Sequence, residues 1–242
     1  MNSNLPLELT NDIDSLATEL WEKGSSRNLI SLILFGGLVK NQHVKTTDMI
    51  QIMIVVQEVN QTVLDQIGGS IRGNKRSNQF RPLIMSQDDL TSSMDVFPIK
   101  FLDLQQSYQV LRGEDVIQGI KIDRKHLQLR CEQQIKDLML NIRSWYVSAS
   151  PDADAYSRIL LRTFYAFILP LDTLVELKTG NVYRQENEII NAADGIGLDM
   201  SSMKRIQEHR QGDHFASHEE QKKTYLALMK TLEKAAKLAD EL

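Results

Sequence analysis

The stretch "LILFGGLVKNQHVKTTDMIQIMIVVQEV", Leu32 to Val59, reads as a strand, a Gly-Gly break, a basic loop and a second apolar strand. Ile30–Phe35 and Ile50–Val56 are short runs of large or β-branched apolar residues. Such runs, bounded by glycine or polar loops, predict strands buried on both faces. Between them lie Gly36, Gly37, Lys40, His43, Lys45 and Asp48. Two flexible positions, three basic or titratable groups and one carboxylate pinched between buried strands form a candidate binding site.

Upstream, Ile13, Leu16, Ala17, Leu20 and Trp21 recur at helical spacing, which predicts a helix from Asn11 to about Lys23. Downstream, "EVNQTVLDQIGG" predicts a short helix stopped by Gly68 and Gly69, and "PLIMS", Pro82–Ser86, an edge strand with its proline where a missing N–H is tolerated. Ser86 followed by acidic residues in "SQDDLTSSMDVF" predicts a capped helix. "PIKFLDL", Pro98–Leu104, is the next strand candidate.

After Lys125 the pattern is helical. Leu127, Cys131, Ile135, Leu138 and Ile142 form one stripe. "ADAYSRILLRTFYAFILPLDTLVELKTG" is apolar over most of its circumference and predicts the central helix of a bundle, kinked or broken at Pro170. Further helices are expected over Gln185–Ala193 and Glu219–Leu242. The domain boundary falls near Arg124, dividing the chain into 1–124 and 125–242.

A strand ending in Gly-Gly, a loop of about ten residues and a second strand with acidic character at its start resemble the nucleotidyltransferase superfamily, the kanamycin nucleotidyltransferase and polymerase-β type fold. "DVFPIKFLDLQQSYQVLRGEDVIQGIKIDRKHLQLRCEQQIKDLMLNIRSWYV", Asp95–Val147, is similar to a stretch of bacterial nucleotidyltransferase-like proteins that carry a C-terminal helical bundle. The resemblance implies a class of α/β followed by α, a small mixed sheet with flanking helices and then an all-helical bundle. It also implies a site in which the backbone of Gly36 and Gly37 cradles phosphate, Lys40 or Lys45 offsets its charge, and Asp48 and Asp103 hold Mg2+ as the catalytic carboxylates. The chemistry is direct. Small residues admit a triphosphate, and carboxylates on adjoining strands hold a hard dication.

The chain also departs from that pattern. Gly-Gly stands where the superfamily usually has Gly-Ser, and the usual Asp-x-Asp is absent, because Asp48 is followed two positions later by Ile50. If one residue is looped out, Gln51 takes the second position, and a neutral amide is a poor magnesium ligand. On "PIKFLDL" the third position falls at Lys100 or, in a shifted register, at Asp103, which strand alternation puts on opposite faces. Gln51 and Lys100 are therefore candidate residues of the cleft. Each feature also has a plain structural reading: Gly36-Gly37 as a tight turn, the basic residues as a solvated loop, Asp48 as a cap, Asp103 as a surface group or a partner for Arg112. His209, His214 and His218 lack the set spacing of a zinc site, and Trp145, Tyr146, Phe164, Tyr165 and Phe167 read as bundle core.

Composition sets the frame for function. The 242 residues are 42% hydrophobic and 25% charged, the balance of a soluble globular protein, and the net charge of -4 speaks against generic duplex nucleic-acid binding. No apolar run reaches the roughly 20 residues of a membrane span and no signal-peptide core is present, so a cytoplasmic protein is expected. With Cys131 the only cysteine, neither an internal disulfide nor a cysteine metal site can form. A nucleotide or other small anion, or a protein partner, is the expected ligand, and the apolar bundle suits a homodimer. The favoured reading is a degenerate, catalytically inactive member of the fold. The alternative is an active Mg2+-dependent enzyme that moves a nucleoside monophosphate from a triphosphate to a hydroxyl.

Overall fold

Strands β1 (Leu29–Phe35) and β2 (Ile50–Val56) lie side by side in the middle of a four-stranded sheet, and six of the seven residues in each are buried. They are buried because helices cover both faces. The structure is a computed structural model that describes residues 5–24, 28–40, 44–148 and 153–242. The chain divides into two compact units, Met1–Ile122 and Asp123–Leu242.

In the first unit, helix α1 (Leu7–Glu19) runs on through a π-helical turn, Leu20–Gly24, before β1. A short helix α2 (Gly37–Lys40) precedes β2, and α3 (Gln61–Gly73) leads to β3 (Phe80–Ser86). Helices α4 (Gln87–Ser93) and α5 (Pro98–Gln106) precede β4 (Tyr108–Gly113). The sheet order is β3-β2-β1-β4, with β1 antiparallel to β2 and β4, and β2 parallel to β3. Alternation sorts the side chains into two cores. Leu32, Leu34, Ile50, Ile52 and Ile54 pack with α1 and α3; Ile33, Phe35, Met53 and Val55 pack with Leu90, Phe101, Leu104 and Ile117.

Three local expectations change. "PIKFLDL" is helix α5, with Pro98 at its start, where no backbone donor is lost. Its apolar residues Pro98, Phe101 and Leu104 recur every three positions and are buried, and that helical period overrides the apparent strand. The strand follows instead, at β4. Helix α3 is not stopped by Gly68 and Gly69 but continues to Gly73, begun by Asn60, whose side chain accepts the Val63 N–H. Pro82 sits inside β3, which pairs only with β2 and so tolerates the missing donor at the sheet edge. The cap at Ser86 has the expected form: its hydroxyl accepts the Asp89 N–H while the Asp89 carboxylate accepts the Ser86 N–H, bonds that also lower the Asp89 pKa.

The second unit is helical: α6 (Arg124–Ser148), α7 (Ala153–Thr179), α8 (Glu186–Gly195), α9 (Ser201–Arg210) and α10 (His218–Asp240). The stripe Leu127, Cys131, Ile135, Leu138 and Ile142 is buried on α6. On α7, Ile159, Leu160, Phe164, Phe167 and Leu171 are buried and Ile168 is half-buried. Helix α7 continues through Pro170 without a break. The Cys131 thiol donates to the Pro170 carbonyl at 3.3 Å, and burial pushes its pKa up to about 12, which makes it a packing group with no nucleophilic character. Helix α9 was not expected; it contains only two large apolar residues, Met203 and Ile206, both buried.

Candidate functional site

Gly36 follows β1 with φ at +74°, a conformation that side-chain-bearing residues rarely adopt. Its N–H donates to the Ser107 carbonyl at 3.2 Å, and its own carbonyl accepts from Val39 and Lys40 at 3.0 and 2.9 Å. The Gly36 amide is thus committed to the protein, and Gly37 opens the single turn of α2. What approaches Gly36 closely is a side chain: a Cβ there would lie 1.7 Å from Gln51 Oε1. The register explains this, because Gln51 lies directly across the ladder from Phe35.

The same register carries the row across the sheet. Gln51 pairs with Arg81 on β3 and Phe35 pairs with Tyr108 on β4, so Arg81, Gln51, Phe35 and Tyr108 line one edge of one face. The next row inward, Leu83, Met53, Ile33 and Val110, belongs to the second core and fixes which face this is. Alternation carried one step back along β2 puts Met49, half-exposed at 51%, on the Gln51 face. Ile50 is buried in the opposite core.

The two aspartates named from sequence are engaged elsewhere. Asp48 turns back on its own loop: its Oδ2 accepts the Lys45 N–H at 2.9 Å, and its N–H donates to the Lys45 carbonyl at 3.1 Å. It is a turn cap, and Lys45 is exposed. Asp103 lies on α5 and is paired at 2.9 Å with Lys40, the last residue of α2. Lys100 is exposed one turn earlier on the same helix, so the strand alternation that set Lys100 against Asp103 does not apply. Arg112 pairs with Asp14 at 2.8 Å and leaves Asp103 alone. His43 lies outside the described residues.

Magnesium, which the fold implies, does not fit these side chains. A hard dication wants several oxygens, mostly anionic. The face beside Gly36 offers a thioether, an amide and a guanidinium, the Asp103 carboxylate is neutralised by Lys40, and Asp48 caps a turn. Among the described residues no three His, Cys, Asp or Glu side chains are placed to hold a metal ion.

Sequence reasoning missed Arg81 and Met49, since only the β2–β3 register and the phase of β2 reveal their positions. In the second unit the histidine-rich loop is part of a pocket of about 520 Å3 lined by Tyr165, Glu186, His209, Arg210 and His214. The His209 ring packs on Phe215 at 4.5 Å, and burial, then His214 and Arg205, lower its pKa. Tyr165 is exposed, not core as expected, and holds Arg210 over its ring at 4.6 Å.

The mixed four-stranded sheet with flanking helices, followed by a helical C-terminal part, is a nucleotidyltransferase-type fold. A solved spectinomycin adenyltransferase, AAD(9) from Enterococcus faecialis, determined with ATP and spectinomycin, matches it with a TM-score of 0.57 at 14% identity, over 95% of this chain and 100% of that one. No family model and no curated protein sequence matches the chain.

Proposed function

We propose that this chain uses the nucleotidyltransferase fold to bind a ligand, a nucleotide foremost, without transferring a nucleotidyl group. The observation that carries the reading is the Gln51 amide lying over Gly36, on the strand face where a metal-dependent enzyme needs carboxylates. Phosphoryl-type transfer depends on metal ions that neutralise charge at the reacting phosphorus, and losing a positioned ligand removes several kcal/mol of transition-state stabilisation. The similar adenyltransferase was determined with ATP, which makes ATP the first nucleotide to test. No helix of the described residues is long and apolar enough to cross a membrane; the cytoplasmic location expected from the sequence is part of this proposal.

The test is incubation of the purified protein with each labelled nucleoside triphosphate, a panel of hydroxyl acceptors including spectinomycin, and Mg2+ or Mn2+. No labelled adduct is expected. An adduct whose formation needs the metal would restore the alternative, an active transferase.

A further inference from the structure

Arg81 stands in the ladder opposite Gln51, on the face that Gly36 borders. Its position is held from below: Nη1 donates to the carbonyls of Asn78 and Phe80 at 2.8 and 2.9 Å, at the start of β3. No carboxylate pairs with it among the described residues, and the residue is exposed. The remaining guanidinium N–H groups therefore keep their hydrogen-bonding capacity for a ligand. Gln51, one strand away and about 4.8 Å along the ladder, brings an amide with no hydrogen-bond partner among the described residues. A fixed cation repels Mg2+ and attracts phosphate, and the planar guanidinium fork matches two phosphate oxygens at once.

Resting on the functional reading above, we propose that Arg81 supplies the positive charge that magnesium supplies in metal-dependent members of this fold, so that the Gly36 end of the sheet takes a polyphosphate chain directly, with no metal. The phosphate chain is the recognised group, whether it comes attached to a nucleoside or free.

Isothermal titration of the full chain with ATP and with inorganic tripolyphosphate, each in EDTA and in excess Mg2+, tests this. Binding is expected in EDTA, weakened by Mg2+, which neutralises the phosphate oxygens that Arg81 would grip. Arg81→Ala and Arg81→Gln, substitutions at an exposed position, should each lower the EDTA affinity about tenfold or more, with Arg81→Lys between them and wild type. Equal binding of both probes assigns recognition to the phosphates alone; binding of ATP only adds the nucleoside to it, and both support the proposal. Affinity that needs Mg2+, affinity unchanged in both Arg81 variants, or no binding of either probe would overturn it. None of those three results touches the absence of transfer, which the labelling experiment decides separately.

Discussion

A single backbone angle at Gly36 separates this turn from an ordinary strand end. With φ at +74°, an L-residue there pays roughly 1–2 kcal/mol of left-handed strain, and its Cβ would also displace the Gln51 carboxamide. Gly36→Ala is therefore expected to lower stability by about 1–2 kcal/mol or somewhat more in urea unfolding. In the Gln51→Ala background the same substitution should cost less, because the steric part is gone and the backbone strain stays. An equal cost in both backgrounds would remove Gln51 from the account. The need for glycine was legible in the sequence, since Gly-Gly closed an apolar strand. Its cause was not, because which side chain reaches over Gly36 depends on the β1–β2 register, which a polar loop leaves open. Asp48, the nearest carboxylate before β2, caps its own turn through the Lys45 N–H, and it is Met49, two positions before Gln51, that alternation puts on the Gln51 face.

Among the elements, the sheet's central strands were readable because they are continuous apolar runs, whereas α5 and β4 exchanged places. "PIKFLDL" carries apolar residues compatible with either period, and the real strand, "YQVLRG", is half polar, with one buried residue, Leu111. No sequence signal marked the clasp that joins α1 to the loop before β2. There Arg76 bonds the Asp12 carboxylate and donates from Nη1 to the Thr46 carbonyl at 2.7 Å, with Lys75 also on Asp12 at 3.0 Å. Burial would raise the Asp12 pKa, but the bonds from Arg76 and Lys75 outweigh it and hold the carboxyl below its ordinary 3.8. A carboxyl depressed in the folded state stabilises the fold above its unfolded pKa and loses that contribution as pH falls through the folded value. Urea midpoints should thus fall more steeply with acidification below about pH 4 in wild type than in Asp12→Asn, which has no proton to gain there. Parallel acid limbs in the two proteins would show that the clasp adds nothing.

On the scale of the whole chain, each unit has its own core. Phe164 is fully buried, so Phe164→Ala should cost about 3–5 kcal/mol and lower the melting temperature; an unchanged melting temperature would exclude the core assignment. The helical half was legible because long apolar stripes leave little ambiguity of period, and α9 was hidden because most of its residues are polar. The sequence turns from short apolar runs to helical texture near Arg124, and the chain separates into its compact units between Ile122 and Asp123. The proposed loss of transfer rests on an edge row of this transferase-type fold, Arg81, Gln51, Phe35 and Tyr108, whose residues suit an anion better than a cation. The most direct measurement is transfer of labelled nucleoside monophosphate to hydroxyl acceptors, run with wild type, Asp48→Ala and Asp103→Ala in Mg2+ and Mn2+. The expected result is no labelled product from any of the three, with both variants folded. Metal-dependent product from wild type, abolished in Asp48→Ala or Asp103→Ala, would contradict the central claim.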